Sequence, residues 1–267
     1  MNDFVEMGTR RFGRWNWLGL ATLIRREVLR FTTVWTQTLL APLVTAGLFL
    51  AVFTLAIGPG RPPVMGVAFF DFLVPGILMM TVIQNAFANT SSSIASAKVQ
   101  GNIVDTLMPP LSPAELVIGY IAGAIGRGLI IAAAIAVILA GPLGEGMAHP
   151  GWVLVFAVLG SMLLGGLGIV AGIYAEKFDQ MAAMTNFIIT PLAFLSGTFY
   201  SVERLPPILQ TAAHFNPIFY LIDGTRYGFL GVSDSSPWIG LAVCSVATAA
   251  VLGLCWRWFR DGYRLKP

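Results

Sequence analysis

Charge is scarce in this sequence: 16 Lys or Arg and 13 Asp or Glu make up 11% of its 267 residues, against 56% hydrophobic residues and a mean hydropathy of +0.77. Soluble domains carry about 25% charged residues, so a surface of ordinary water-facing composition is excluded. Histidine is rarer still. His149 and His214 both fall in predicted outer-side regions far apart in sequence, and no HExxH, CxxC or GxSxG string occurs, which leaves those hydrolytic and metal chemistries without their residues. A phosphate loop of the form GxxxxGK followed by Ser or Thr is missing too, since Lys98, Lys177 and Lys266 have the wrong neighbours. The chain therefore has no recognisable means of hydrolysing ATP, no catalytic or metal residues are assigned, and it is not expected to be an enzyme. Cys244 and Cys255, the two cysteines, are eleven positions apart in one predicted helix, about 16 Å along its axis, too far for an intrahelical disulfide. A net charge of +3 makes no case for a nucleic-acid partner.

What the sequence has instead is apolar length. Runs approach or exceed the roughly 20 residues that cross about 30 Å of hydrocarbon as helix, and six spans are predicted: 34–58, 69–91, 114–140, 151–174, 181–200 and 237–258. The fold class is an all-α polytopic membrane protein. The opening residues NDFVEMGTRRFGRWNW contain no apolar run ending at a cleavage site, so no removable signal peptide is expected. Arg10, Arg11, Arg14, Arg25, Arg26 and Arg30 precede the first span, and Arg257, Arg260, Arg264 and Lys266 lie at or beyond the end of the last. By the positive-inside rule both termini are cytoplasmic and the crossings are even in number. Lys98 and Lys177 then fall inside, and Arg61, Arg204 and Arg226 outside.

The stretch FNPIFYLIDGTRYGFLG (215–231) is apolar enough to pass for a seventh span. Parity opposes it, and it would put Asp223 and Arg226 in hydrocarbon. Two short outer-side helices, each opening with Pro, are expected in the segment 201–232, dipping into the outer leaflet and returning. Ahead of the first span, Trp17, Leu20, Ile24, Val28 and Phe31 recur at helical spacing in WLGLATLIRREVLRF, the pattern of a helix lying in the inner membrane surface. A cytoplasmic extension of the first span is the alternative.

Polar groups within the spans are few. Gln84, Asn85 and Asn89 in the second span are read as interhelical hydrogen-bonding groups. Arg127 in the third is either functional or low enough to snorkel. Gly119 with Gly123 and Gly168 with Gly172 are spaced for close helix approach; Gly166, Gly168 and Ala171 fit a dinucleotide fingerprint only formally, with no strand before them. Asn89-Thr90-Ser91 is discarded as a glycosylation acceptor because it sits at the cytoplasmic end of its span.

Between the second and third spans stands GNIVDTLMPPLSP (101–113). Asn102 can cap a short helix, IVDTLM, which Pro109 and Pro110 stop, and Ser112 to Glu115 has capping-box spacing at the start of the next helix. A short helix held rigidly between two membrane helices and shown to the cytoplasm is stiffer than a connector needs.

These features, taken with FLVPGILMMTVIQNAFANTSSSIASAKVQGNIVDTLMPPLSPAELVIGYIAGAIGRGL, IYAEKFDQ, TPLAFLSGTFYSVERLPPILQ and the 215–231 stretch, give the chain a resemblance to the ABC-2-type transporter permeases. Within them it is most similar to the YadH-like branch, related to the permeases of nodulation-factor exporters, and the likeness covers nearly the whole chain. The resemblance implies an N-terminal region 1–33 with an interfacial helix, a six-helix domain 34–267 with a coupling loop at 96–113, and a location in the bacterial inner membrane. It implies partners as well: a second permease copy, two ATPase subunits that carry ATP and Mg, and membrane lipids. Gly101, Asn102, Asp105, Met108, Pro109, Pro110 and Leu111 are the implied ATPase contacts, with Glu176, Lys177 and Asp179 as a smaller second contact. Gln84, Asn85, Arg127, Pro191, Phe194, Gly197, Phe199 and Tyr200 are placed along the transport path. Outward export of an amphiphilic lipid, lipid-linked glycan or hydrophobic compound is the expected function. A non-transporting anchor or sensor that recruits an ATPase is the alternative, and an ion channel a third reading.

Overall fold

The computed structural model describes residues 15–58, 60, 62–140 and 146–265; Arg10, Arg11, Arg14, Arg61 and Lys266 lie outside them. In chain order the α-helices are α1 (Trp17–Thr33), α2 (Ala41–Val52), α3 (Phe69–Val99), α4 (Ile103–Leu107), α5 (Pro113–Ala140), α6 (Pro150–Tyr174), α7 (Phe178–Met184), α8 (Thr190–Leu195), α9 (Pro207–Phe215), α10 (Pro217–Leu230) and α11 (Pro237–Asp261). Among the described residues there is no named strand; a lone bridge pairs Val64 with Val67.

Among the described residues, five helical stretches are long and apolar enough to cross a membrane: Thr36–Ala56, Phe69–Val99, Pro113–Ile138, Pro150–Tyr174 and Pro237–Asp261. The predicted 181–200 span differs from expectation. It is a broken helix over 178–195, in which α7 and α8 are joined by a π-helical turn at Thr185–Ile189. Asp179, Gln180 and Asn186 keep it from being as apolar as the others, and it ends at Leu195 because Gly197, at φ 77°, turns the chain. The candidate seventh span, 215–231, is α10, preceded by the short α9, each with Pro in its first turn; at 14 residues α10 reaches only about 21 Å, too short to cross.

The second span also runs past its predicted end at 91, to Val99. Ser91 to Ser96 stay helical because Ile94 and Ala95 are buried and Lys98 reaches across to the carbonyls of Ile173 and Ala175 at the end of α6. At 31 residues α3 is about 46 Å long. It forms the axis of the bundle, with Phe72, Leu73, Ile77, Leu78, Met79, Val82 and Ile83 fully enclosed by α2, α5, α6 and α10.

Close approach depends on missing side chains. A Cβ at Gly168 would strike Thr90 Oγ1 and the Phe87 carbonyl, so α6 lies directly on α3, and Thr90 Oγ1 donates to the Gly165 carbonyl at 2.6 Å. Asn89, fully buried beside them, is unavailable to any glycosylating enzyme. Both cysteines are buried and free.

Helix α1 is a separate helix: Val34, at φ −110° and ψ 41°, breaks it from the π-helical turn at Thr36–Leu40, and Asn16 Oδ1 caps it by accepting from the Gly19 amide at 3.0 Å. Its buried face shares Leu20 and Phe31 with the apolar stripe read from the sequence. Leu20, Leu23, Glu27 and Phe31 face inward, whereas Trp17 is exposed and Ile24 and Val28 are half-buried. The reason lies on α5, where the notches at Gly119 and Gly123 receive Leu23 and Glu27.

Candidate functional site

At one end of the bundle gather the N-termini of α1 and α5 and the C-termini of α3, α6 and α11. Glu115 ties the first two together: one carboxylate oxygen accepts from the Asn16 amide, the other from the Ser112 amide and hydroxyl at 2.6 and 2.7 Å. The Ser112–Glu115 capping box therefore forms as read from the sequence. Arg264, after α11, donates to the Tyr174 carbonyl at 3.2 Å and pairs with Glu176 at 3.7 Å.

Helix α4 stands out from this end. Gly101, at φ 75°, turns the chain into it, and Pro109 and Pro110 follow it. Asn102 occupies the capping position but makes no side-chain cap; its amide points to Gln100 Oε1 at 3.5 Å, and the first-turn bond is instead the Asp105 amide to the Asn102 carbonyl. Gly101, Asn102, Val104, Asp105, Met108, Pro109 and Pro110 are exposed, while Leu111 is half-buried and turned toward α1 at Gly19. A cavity of about 450 Å³ separates α1 from this loop, bounded by Thr22, Arg26, Asp105 and Leu111 among others. Glu176 and Lys177, both exposed, lie at the same end just before α7.

The back of α4 is bolted to the bundle by charge. Thr106, buried, accepts from Arg26 Nη1 at 2.8 Å. Arg26 Nη2 also reaches Glu27 at 3.0 Å and the Tyr120 hydroxyl at 3.3 Å. Glu27, with no exposed surface, accepts from Ser93 Oγ at 2.8 Å and pairs with Arg30 at 3.4 Å. Arg30 continues to Ser92 Oγ and to Asn89 Oδ1, 3.1 and 3.0 Å away. One buried carboxylate thus connects α1, α3, α4 and α5. A carboxylate can be buried when it is paired and its lone pairs are filled; two arginines and a serine do that here.

Deeper in the bundle, a cavity of about 350 Å³ opens between the α2 stretch, α3 and α8. Gln37 and Thr45 line one wall, Thr81, Gln84 and Asn85 the other, with Thr190 and Phe194 beside them. Arg127 stands behind this wall: it is 8% exposed and its Nη2 donates to Asn85 Oδ1 at 2.6 Å. Asn85 in turn donates to the Thr81 carbonyl. Four of the eight predicted path residues, Gln84, Asn85, Arg127 and Phe194, therefore come together. Phe199 lies above them in an aromatic stack, 4.6 Å from Phe53 and 5.3 Å from Phe194, and the Tyr200 hydroxyl donates to the Phe194 carbonyl. Gly197 sits apart, its carbonyl accepting from Arg226 Nη2 at 2.6 Å, and Pro191 is exposed at the start of α8 without lining the cavity.

At the opposite end a second buried ionic group pins the chain. Arg226 faces Asp223 at 3.5 Å and Asp234 at 4.0 Å and lies over the Phe72 ring at 4.0 Å. Asp223 accepts from the amides of Asp234 and Ser235, and Asp234 from Ser201 Oγ and the Val202 amide. Burial pushes the Asp223 carboxyl up to about 6, against the pull of Arg226. From the sequence, Asp223 and Arg226 serve to reject a span and, for Arg226, to mark the outer side. The sequence reading missed Asp234, Glu27 and the polar residues of the first span, Gln37 and Thr45. The available signal for Glu27 was a lone carboxylate between Arg26 and Arg30 on an otherwise apolar face.

The sequence has known relatives. The ABC-2 type transporter family matches residues 19–230. The chain belongs to that family. Over 250 residues it is 35% identical to the inner membrane transport permease YadH of Escherichia coli K12, covering 94% of this chain and 98% of that one. Nodulation protein J of Neorhizobium galegae is 25% identical over 225 residues, 82% of this chain and 83% of its own length, and that of Rhizobium leguminosarum bv. trifolii 28% over 172 residues, 62% and 64%. In this ABC-2 chain the family match takes in α4, the arginine–glutamate bolt and the polar cavity and stops at the end of α10.

Proposed function

We propose that this chain is the transmembrane half of an ABC exporter of the bacterial inner membrane, moving an amphiphilic molecule outward with ATP hydrolysed on a separate subunit. The observation that carries the reading is α4: a rigid, outward-facing helix at the end of the bundle where Arg25, Arg26, Lys98, Lys177, Arg257, Arg260 and Arg264 collect, fastened from behind by Arg26 to Thr106. Rows of cations mark the cytoplasmic side, so both termini face the cytoplasm, as does the surface made by Asn102, Val104, Asp105 and Met108. An ATPase docking there pulls on α1 and α3 through Glu27 and Arg30. With both ends on one side, residues 178–195 complete an even set of six crossings, and α9 and α10 are the outer re-entrant pair.

Two copies are needed. The Thr36–Ala56 span is only 11% buried within one chain, yet it carries Gln37 and Thr45 toward the polar cavity. A second copy against this face and the 178–195 segment covers polar groups that lipid cannot satisfy, and places two such cavities beside one central path. The uncharged amides and hydroxyls of the cavity suit a cargo with a polar head and an apolar body.

The test is co-purification of the tagged chain from native membranes. An ATPase subunit is expected in equal amount, and Asp105→Ala with Met108→Asp is expected to reduce its recovery at least tenfold while leaving the permease intact on gel filtration. Recovery unchanged by these substitutions would sink the docking assignment. ATP-driven movement of a labelled amphiphile in vesicles then separates an exporter from an anchor that recruits an ATPase without transport.

A further inference from the structure

A third cavity, of about 630 Å³, takes no part in the path above. Leu167 and Val170 of α6 floor it, Ile188 and Leu192 of the broken helix form one wall, and Ala247 and Ala250 of α11 the other. Asn216 is the polar side chain at its far end, and both halves of that amide are engaged: it donates to the Leu192 carbonyl and Ser196 Oγ and accepts from the Ile218 amide. The shaft therefore offers a polar ligand nothing. From Ala247 to Trp258 it follows α11 for about 16 Å, inside a membrane-crossing helix. Water has too few partners there to fill it.

At the α4 end the chemistry changes. Tyr174 and Trp258 line the mouth, the Trp258 and Tyr263 rings lie 4.7 Å apart, and the Arg264 guanidinium covers the Tyr174 ring at 4.5 Å. Arg264 sits at φ 52°, a left-handed conformation that side-chain-bearing residues adopt rarely, so the turn after α11 holds this arginine at the mouth against its backbone preference. Its bonds to the Tyr174 carbonyl and Glu176 both use Nη1, and the side chain is 39% exposed, which leaves its other N–H groups available among the described residues. Lys98 reaches the same helix end, so two cations face one carboxylate. An apolar shaft ending in aromatic rings and surplus positive charge has the polarity profile of a lipid with an anionic headgroup.

We infer that this cleft between residues 178–195 and α11 binds one acyl chain of an anionic phospholipid from the bilayer, with its phosphate on Arg264. The lipid fills the gap on the broken helix's bundle side, where that helix otherwise has few protein neighbours, and so sets how closely 178–195 can approach α6 and α11.

The experiment uses the full chain in vesicles of phosphatidylethanolamine and phosphatidylglycerol, with a diazirine amino acid replacing Leu167 in the shaft or, as control, Val246, which is 71% exposed on α11. After photolysis the lipid adducts are identified by mass spectrometry. Phosphatidylglycerol adducts at position 167 are expected to exceed its share of the vesicle roughly fivefold, the worth of one arginine near an anionic surface, and to track that share at position 246. Arg264→Gln, at the surface, should return position 167 to the vesicle composition; Ala250→Trp should abolish its lipid adducts. Adducts at 167 that match vesicle composition with Arg264 intact, adducts indifferent to Arg264→Gln, or cross-linking to a second copy of the chain in place of lipid would each overturn the assignment.

Discussion

Glu27 is the residue on which the α4 end turns. Its carboxylate is fully enclosed, and Arg26, Arg30 and Ser93 are held in place by it. Hydrogen bonds to charged groups contribute about 1.5–3 kcal/mol each, and removing one partner of a buried ion pair leaves the other uncompensated. Glu27→Gln keeps the shape and removes the charge, so it is expected to destabilise the permease by about 2 kcal/mol and lower its melting temperature in detergent. Because Arg26 then loses its anchor behind Thr106, the ATPase subunit proposed above should become less responsive to assembly with the permease. A variant that melts like the parent and still stimulates fully would show that the bolt is passive. Legibility at this scale depended on sequence distance. The Ser112–Glu115 box was readable because its partners are three residues apart, while Glu27 meets Ser93 across 66 positions. Asp234, which completes the pocket around Arg226 from a loop, carried no local signal at all.

Among the elements, helix contact is governed by where side chains are absent. α3 and α6 meet at Gly168, and an added methyl there runs into Thr90 and the Phe87 carbonyl; Gly253, on α11, has nothing within 4 Å of the same position. Gly168→Ala is expected to cost about 1–3 kcal/mol through overpacking, whereas Gly253→Ala should be neutral or stabilising by up to about 1 kcal/mol through helix propensity. Thermal unfolding of the two variants side by side checks both signs; equal melting temperatures would mean that the two helices are not in contact as described. Most helices could be placed from apolar runs and from prolines at their starts, as at Pro113, Pro150 and Pro237. Two boundaries could not. The tail of α3 is polar in composition yet stays helical because α6 shelters it, and the 178–195 helix takes a π turn just ahead of Pro191, whose missing N–H cannot bond the Phe187 carbonyl. On α1, periodicity shows which residues are apolar, but the glycine notches of α5 decide which face packs against the bundle.

For the whole molecule, the uneven burial of its spans points outward to a second copy. Phe187 on the broken helix is 81% exposed and Leu48 on α2 is 61% exposed, both on the elements proposed to meet the second copy, while Val137 on α5, 75% exposed, is on neither of them. Cysteine introduced at Phe187 or Leu48 is expected to form disulfide-linked dimers in native membranes on mild oxidation, and cysteine at Val137 is not. Cross-linking at Val137 alone would place the interface on the wrong side of the bundle.

The stack of Phe53, Phe199 and Phe194 over the polar cavity has a consequence for the cell as well as for the cargo. A bacterium stores energy as an ion gradient across the membrane that this chain crosses, and any continuous wet channel through it is a short circuit. On the exporter reading proposed above, the three rings in contact serve as a dry plug that keeps the resting transporter from discharging its host. Phe199→Ala should therefore make cells carrying the permease admit small dyes and lose membrane potential without any ATP being spent, a defect visible by fluorescence before a single molecule of cargo is identified.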